Sequence, residues 1–133
     1  MANLIALDVG TRRIGVAAAD STVPVAMPLV TVDVDGDEVS VIKKIIDERH
    51  IETVVVGYPR NQSGEATDQT AVSETLGSKI AEFTEVVYQD ESLTSIMAED
   101  RLKASGKPYS KADIDAFAAM IILQDYLEDK YAS

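Results

Sequence analysis

The chain has 133 residues, 46% hydrophobic and 26% charged, a composition typical of a folded globular domain and not of a disordered chain. It contains no cysteine and a single histidine, which excludes disulfides, thiolate zinc sites and cysteine nucleophiles. The formal net charge of -11 argues against tight nonspecific binding to nucleic acids, although a divalent cation site also requires an excess of carboxylates.

Hydrophobic periodicity predicts the elements in chain order. Two hairpin strands come first, over about 3–8 and 13–20, and a turn around Pro24 and Pro28 precedes a third strand, "LVTVDV". The remaining predicted elements are a helix to about His50, a buried parallel strand "TVVVGYP", a helix over about 66–83, a strand "EVVYQDE", and helices over about 94–104 and 111–130.

This order of elements predicts an α/β fold as one domain over residues 1–133, with a five-stranded mixed sheet. Ligands bind such sheets beyond the carboxyl ends of the parallel strands. Asp8, the loop after Gly57 and the pair Asp90 and Glu91 all follow predicted strands, so they share one edge of the sheet. No run reaches the roughly 18 apolar residues of a membrane span, and no signal peptide is apparent, so we expect a cytoplasmic location.

Asp8 is a carboxylate placed at the end of a buried strand, within "LDVGTRRIGVAAAD". Burying a bare carboxylate costs several kcal/mol or shifts its pKa, so this side chain needs a partner. Capping of the following turn, which Gly10 permits, and ligation of a metal both explain it. This stretch alone leaves the two interpretations open.

A second carboxylate in need of an explanation opens the last predicted helix, "YSKADIDAFAAMIIL". Ser110 and Asp113 have the spacing of a capping box, which accounts for Asp113. Asp115 shares its helix face with Ala118, Ala119 and Ile122. Because those small residues let the helix lie close against the sheet, we expect Asp115 to be carried inward.

Asp8, Glu91 and Asp115 form a candidate triad of carboxylates. Three clustered acids repel one another unless cations neutralise them. Without cysteine the cation should be a hard one, Mg²⁺ or Mn²⁺. Sites of this kind commonly perform phosphoryl transfer with two ions about 3.5–4 Å apart.

Four segments, in this order, resemble the YqgF/RuvX family of Holliday junction resolvases, which is also assigned to processing the precursor of 16S ribosomal RNA. They are "LDVGTRRIGVAAAD", "VVVGYPRNQSG", "QDESLTSIMAEDRL" and "DIDAFAAMIILQDYL". The resemblance implies a ribonuclease H-like fold with strand order 3-2-1-4-5. It also implies a divalent-metal nuclease site whose three acids fall on Asp8, Glu91 and Asp115.

The resemblance implies a metal-dependent endonuclease that processes the 5′ end of precursor 16S rRNA, or alternatively a Holliday junction resolvase acting on branched DNA. In place of an arginine common in the family, this chain has Ser92, within "DESLTS". Because that change removes a cation near the substrate, and because the chain is acidic, a noncatalytic nucleic-acid or ribosome-assembly module is a further alternative.

The candidate phosphate-binding residues lie in two predicted loops. Thr11, Arg12 and Arg13 follow the first strand and Arg60 follows the buried parallel strand. Guanidinium groups bind phosphates through two parallel hydrogen bonds, which suits them to a nucleic-acid backbone. We expect a monomer or a weak homodimer, since symmetric cutting of a junction needs two copies.

Overall fold

The computed structural model describes residues 3–20, 22–59, 68–91 and 100–131. Its strands are β1 (Asn3–Val9), β2 (Arg13–Asp20), β3 (Val23–Asp33), β4 (Ile51–Pro59) and β5 (Glu85–Glu91). Its helices are α1 (Glu38–Arg49), α2 (Asp68–Ile80), α3, described over 100–104, and α4 (Lys111–Tyr131). None of the described helices has the length and apolar character that crossing a membrane needs.

The sheet is mixed and has the strand order β3-β2-β1-β4-β5. The strands β1, β2 and β3 form antiparallel pairs, whereas β4 runs parallel to both β1 and β5. A parallel pair needs a crossover, and the helices α1 and α2 provide the connections from β3 to β4 and from β4 to β5. The predicted α/β class, the mixed sheet and its strand order are confirmed.

The start of β3 differs from the prediction. The two prolines suggested a turn, but β3 begins at Val23 and runs through both of them, with register shifts against β2. Proline lacks the N–H group that a central strand needs. Because β3 is an edge strand, it has a neighbour on one side only and tolerates both prolines. Helix α2 also ends earlier than predicted, at Ile80.

Each face of the sheet carries its own hydrophobic core. Alternation along β1 directs Leu4 and Ala6 towards α4, while Ile5, Leu7 and Val9 face α1 and α2. The α4 side contains Ala119, Ile122, Leu123, Tyr126 and Leu127. The described residues therefore form three layers, with α1 and α2 on one side of the sheet and α4 on the other. Of the described helices, α4 is the one that contributes to the cluster on its face.

Candidate active site

The carboxyl ends of β1, β4 and β5 meet at one edge of the sheet. Leu7 of β1 pairs with Val56 of β4, and Pro59 of β4 pairs with Glu91 of β5. Asp8 lies one residue beyond Leu7 and is partly buried. The backbones of Asp8 and Glu91 therefore lie near the carboxyl ends of β1 and β5, the two strands that flank β4. The strand pattern predicted that these ends share one edge of the sheet.

The third predicted acid comes from the opposite end of the chain, at the start of α4. The backbone N–H of Ser110 donates to Oδ2 of Asp113 at 2.8 Å, and the N–H of Asp113 donates to Oγ of Ser110 at 3.2 Å. This reciprocal pair is the predicted capping box, and it begins the helix at a defined residue. Asp115 is the fifth residue of the helix, at the start of its second turn, and its side chain is 22% exposed.

Gly15 allows α4 to approach the sheet beside Asp8. Gly15 lies opposite Asp8 in the β1–β2 ladder, so their Cα atoms are about 4.5–5.5 Å apart. A Cβ atom on Gly15 would lie 1.9 Å from the backbone oxygen of Asp115. No side chain fits in that space, so this position requires glycine. The backbone of α4 at Asp115 and Ala116 therefore packs directly against β2, beside Asp8.

Asp8 also belongs to the face of the sheet that α4 covers. Along β1, Leu4 and Ala6 pack in the cluster with α4, and the alternation of a strand places Asp8 on the same side. The structure thus brings Asp8 and Asp115 to the same face of the sheet, with Gly15 between their backbones.

Arg13 forms an ion pair with Asp115. Its Nε donates to Oδ2 of Asp115 at 2.6 Å, and the two side chains are 32% and 22% exposed. A charge-assisted hydrogen bond of this kind orients a carboxylate and offsets its repulsion by other acids. Sequence reasoning assigned Arg13 to phosphate and missed this contact.

The turn between β1 and β2 forms one wall of a pocket of about 260 Å³. The pocket is lined by Gly10, Thr11, Arg12, Arg13, Gln69 and Asp115. Three predicted phosphate-binding residues, Thr11, Arg12 and Arg13, thus surround the same space as one predicted metal ligand. Arg60 and Ser92 lie outside the described residues, so the predictions for them stay predictions.

The predicted triad is only partly described. Among the side chains that the structure describes, no three carboxylate or histidine groups lie close enough together to hold a metal ion. The side chain of Glu91 is outside that description. The two acids that can be placed, Asp8 and Asp115, supply the oxygen donors that Mg²⁺ and Mn²⁺ prefer.

Two residues of this region were not found by sequence reasoning. Gly15 could have been found, because a glycine inside a strand often marks a close approach of another backbone. Gln69, whose Nε2 donates to the carbonyl oxygen of Val9, offers no such signal in its segment "TDQTAV".

Comparisons with known proteins show the family of this chain. A family model described as "RuvX: Holliday junction resolvase" matches residues 2–129. A Chloroflexus aurantiacus protein named "Putative pre-16S rRNA nuclease" is 43% identical over 94% of this chain and 86% of its own length. A Synechocystis protein of the same name is 37% identical over 93% of this chain and 86% of its own length.

Solved structures support the fold. A structure described as "T. thermophilus RuvC in complex with Holliday junction substrate" superposes with a TM-score of 0.61 at 14% identity, over 100% of this chain and 98% of that one. A Fowlpox virus resolvase bound to Holliday junction DNA gives a TM-score of 0.61 at 10% identity, over 97% and 99% of the two chains. Since the family model spans nearly the whole sequence, this chain belongs to the RuvX family, described as Holliday junction resolvases.

Proposed function

We propose that this chain is a divalent-metal-dependent endonuclease that hydrolyses phosphodiester bonds at the 5′ end of precursor 16S rRNA in the cytoplasm. The proposal depends on one observation: the backbone of Asp115 packs directly against Gly15, and Gly15 is the residue that pairs with Asp8 in the β1–β2 ladder. The relatives' name supports the rRNA substrate, and membership of the RuvX family supports the nuclease activity.

Asp8, Glu91 and Asp115 would hold the metal, Mg²⁺ or Mn²⁺. Carboxylate oxygens on the edge of a sheet fit such hard ions, and Arg13 orients Asp115 by donating to its Oδ2. When bound, the ions would supply an activated water molecule and stabilise the leaving oxygen. The phosphodiester would be aligned against these carboxylates by the side chains of Thr11, Arg12, Arg13 and Arg60.

A Holliday junction resolvase is the second candidate, because the family carries that description. Resolution needs two active sites related by symmetry, so it requires a homodimer under the assay conditions. A noncatalytic ribosome-assembly module is the third candidate, which Ser92 and the net charge of -11 favour.

A paired cleavage assay tests the three candidates. We expect the protein to cut an RNA carrying the 5′ extension of 16S rRNA when Mg²⁺ or Mn²⁺ is present and to leave it intact with a chelator. A four-way DNA junction is the matched second substrate. Preferential cutting of the junction would favour the resolvase, and metal-free binding of RNA with neither substrate cut would favour the assembly module.

Arg12 provides a test of the phosphate-binding turn. It is exposed and lines the pocket beside Asp115. Each lysine or arginine that neutralises a phosphate contributes to the dependence of affinity on salt. We expect Arg12→Met to weaken RNA binding uniformly across sequences and to reduce the slope of log affinity against log salt by about 1.

Fluorescence anisotropy over a salt series measures this effect. The matched control is Arg49→Met, at the end of α1 and at the opposite edge of the sheet from the predicted site. Equal salt slopes for Arg12→Met and the wild type would remove Arg12 from the RNA-binding surface.

A further inference from the structure

Gln69 connects α2 to the strand that carries Asp8. It is the second residue of α2, its side chain is partly buried, and its Nε2 donates to the carbonyl oxygen of Val9. Val9 is the last residue of β1 and follows Asp8 directly. Gln69 therefore contacts the backbone next to a predicted metal ligand.

The carbonyl group of Val9 needs this partner because the sheet opens there. The pairing of β1 with β4 extends to Leu7 and Val56, whereas the pairing of β1 with β2 continues to Val9 and Ile14. Val9 is 6% exposed, and a buried carbonyl without a hydrogen bond is costly. The side-chain amide of Gln69 donates the hydrogen bond that β4 no longer provides where β1 and β4 separate.

The peptide group that Gln69 contacts is held at its other end as well. The N–H of Gly10 belongs to the same planar unit as the carbonyl of Val9, and it donates to the backbone oxygen of Arg13 at 2.9 Å. The side chain of Arg13 in turn donates to Asp115 at 2.6 Å. A continuous series of contacts thus joins Gln69, the peptide between Val9 and Gly10, Arg13 and Asp115.

We propose that Gln69 is a positioning residue for the metal site, which fixes the end of β1 and with it the carboxylate of Asp8 relative to Asp115. The inference rests on the proposed function, since it concerns the same metal-binding edge. Partners behind the ligands of a metal typically change affinity by about 10–100-fold when they are lost.

The test uses Gln69→Met, which keeps the length of the side chain and removes its N–H donor. Its matched control is Gln124→Met in α4, because the side chain of Gln124 also has a backbone partner: the N–H of Ala26 donates to Oε1 of Gln124 at 2.9 Å. We expect Gln69→Met to weaken Mn²⁺ binding about tenfold by calorimetry and Gln124→Met to leave it unchanged.

A second measurement needs neither metal nor substrate. In the metal-free protein, we expect Gln69→Met to shift the amide resonance of Gly10 in a ¹H–¹⁵N spectrum, since that nitrogen is bonded to the carbonyl carbon of Val9. Gln124→Met should leave the Gly10 resonance in place.

The outcomes separate this inference from the proposed function. Equal Mn²⁺ affinities for Gln69→Met and a metal-binding wild type, or an unshifted Gly10 resonance, would overturn the inference and leave the nuclease proposal standing. A wild type that binds no Mn²⁺ and cuts no substrate would refute the proposed function, and the role of Gln69 with it.

Discussion

Replacement of Asp8 by asparagine is expected to abolish cleavage while the protein stays folded. Asparagine has the shape of aspartate but lacks the negative charge that a divalent ion requires. Loss of a direct ligand should exceed the roughly 100-fold effect that loss of an outer partner can cause. The fold should persist, because the substitution removes one negative charge from a region that contains Asp115 and from a chain of net charge -11.

Cleavage of the precursor RNA and the midpoint of thermal unfolding together measure this effect. Asp47→Asn is the matched control, because it makes the same chemical change on α1, where Asp47 pairs with Lys43 in solvent. Asp47→Asn should retain full activity. Undiminished Mn²⁺-dependent cleavage by Asp8→Asn would show that Asp8 does not bind the metal.

Gly15→Ala is expected to produce the largest loss of stability. The new Cβ would lie 1.9 Å from the backbone oxygen of Asp115, 2.2 Å from its carbonyl carbon and 2.9 Å from the nitrogen of Ala116. Backbone atoms cannot rotate away as a side chain does, so the turn of α4 that contains Asp115 and Ala116 must move. Overpacking a core typically costs about 1–3 kcal/mol, and we expect the upper end, about 3 kcal/mol.

Urea denaturation measures the free energy of unfolding of this variant. Gly106→Ala is the control: a Cβ there meets nothing within 4 Å, and the left-handed φ of 72° costs about 1–2 kcal/mol. We also expect Gly15→Ala to weaken Mn²⁺ binding, because the displaced turn carries Asp115. A loss no greater than that of Gly106→Ala would mean that α4 does not rest on Gly15.

The architecture could be predicted from local patterns in the sequence. The apolar run Leu4–Leu7 and the stretch "TVVVGYP" are short, bounded by turn residues and rich in strand formers, so their strands were found. The β3 prediction was wrong at its start because the two prolines indicate a turn unless the strand lies at an edge. Whether a strand lies at an edge depends on the whole sheet, which no local pattern reveals.

The site was also predictable only in part, because local patterns single out residues but do not show which distant residues they contact. Asp115 stood out as a charge on an apolar helix face, and the structure places it against the sheet beside Asp8. Its ion pair with Arg13 could not be predicted, because it depends on the angle at which α4 crosses β2. Arg13 is the first residue of β2 and contacts α4, whereas the adjacent Arg12 belongs to the preceding turn and is exposed.

The ion pair between Arg13 and Asp115 joins positions 102 residues apart. A nascent chain made from its amino end therefore has Asp8 and the β1–β2 turn long before it has Asp115. Bringing such distant positions together also costs loop-closure entropy, which rises with the length of the loop. The two partners of this ion pair can therefore meet only after the ribosome has synthesised every residue between positions 13 and 115.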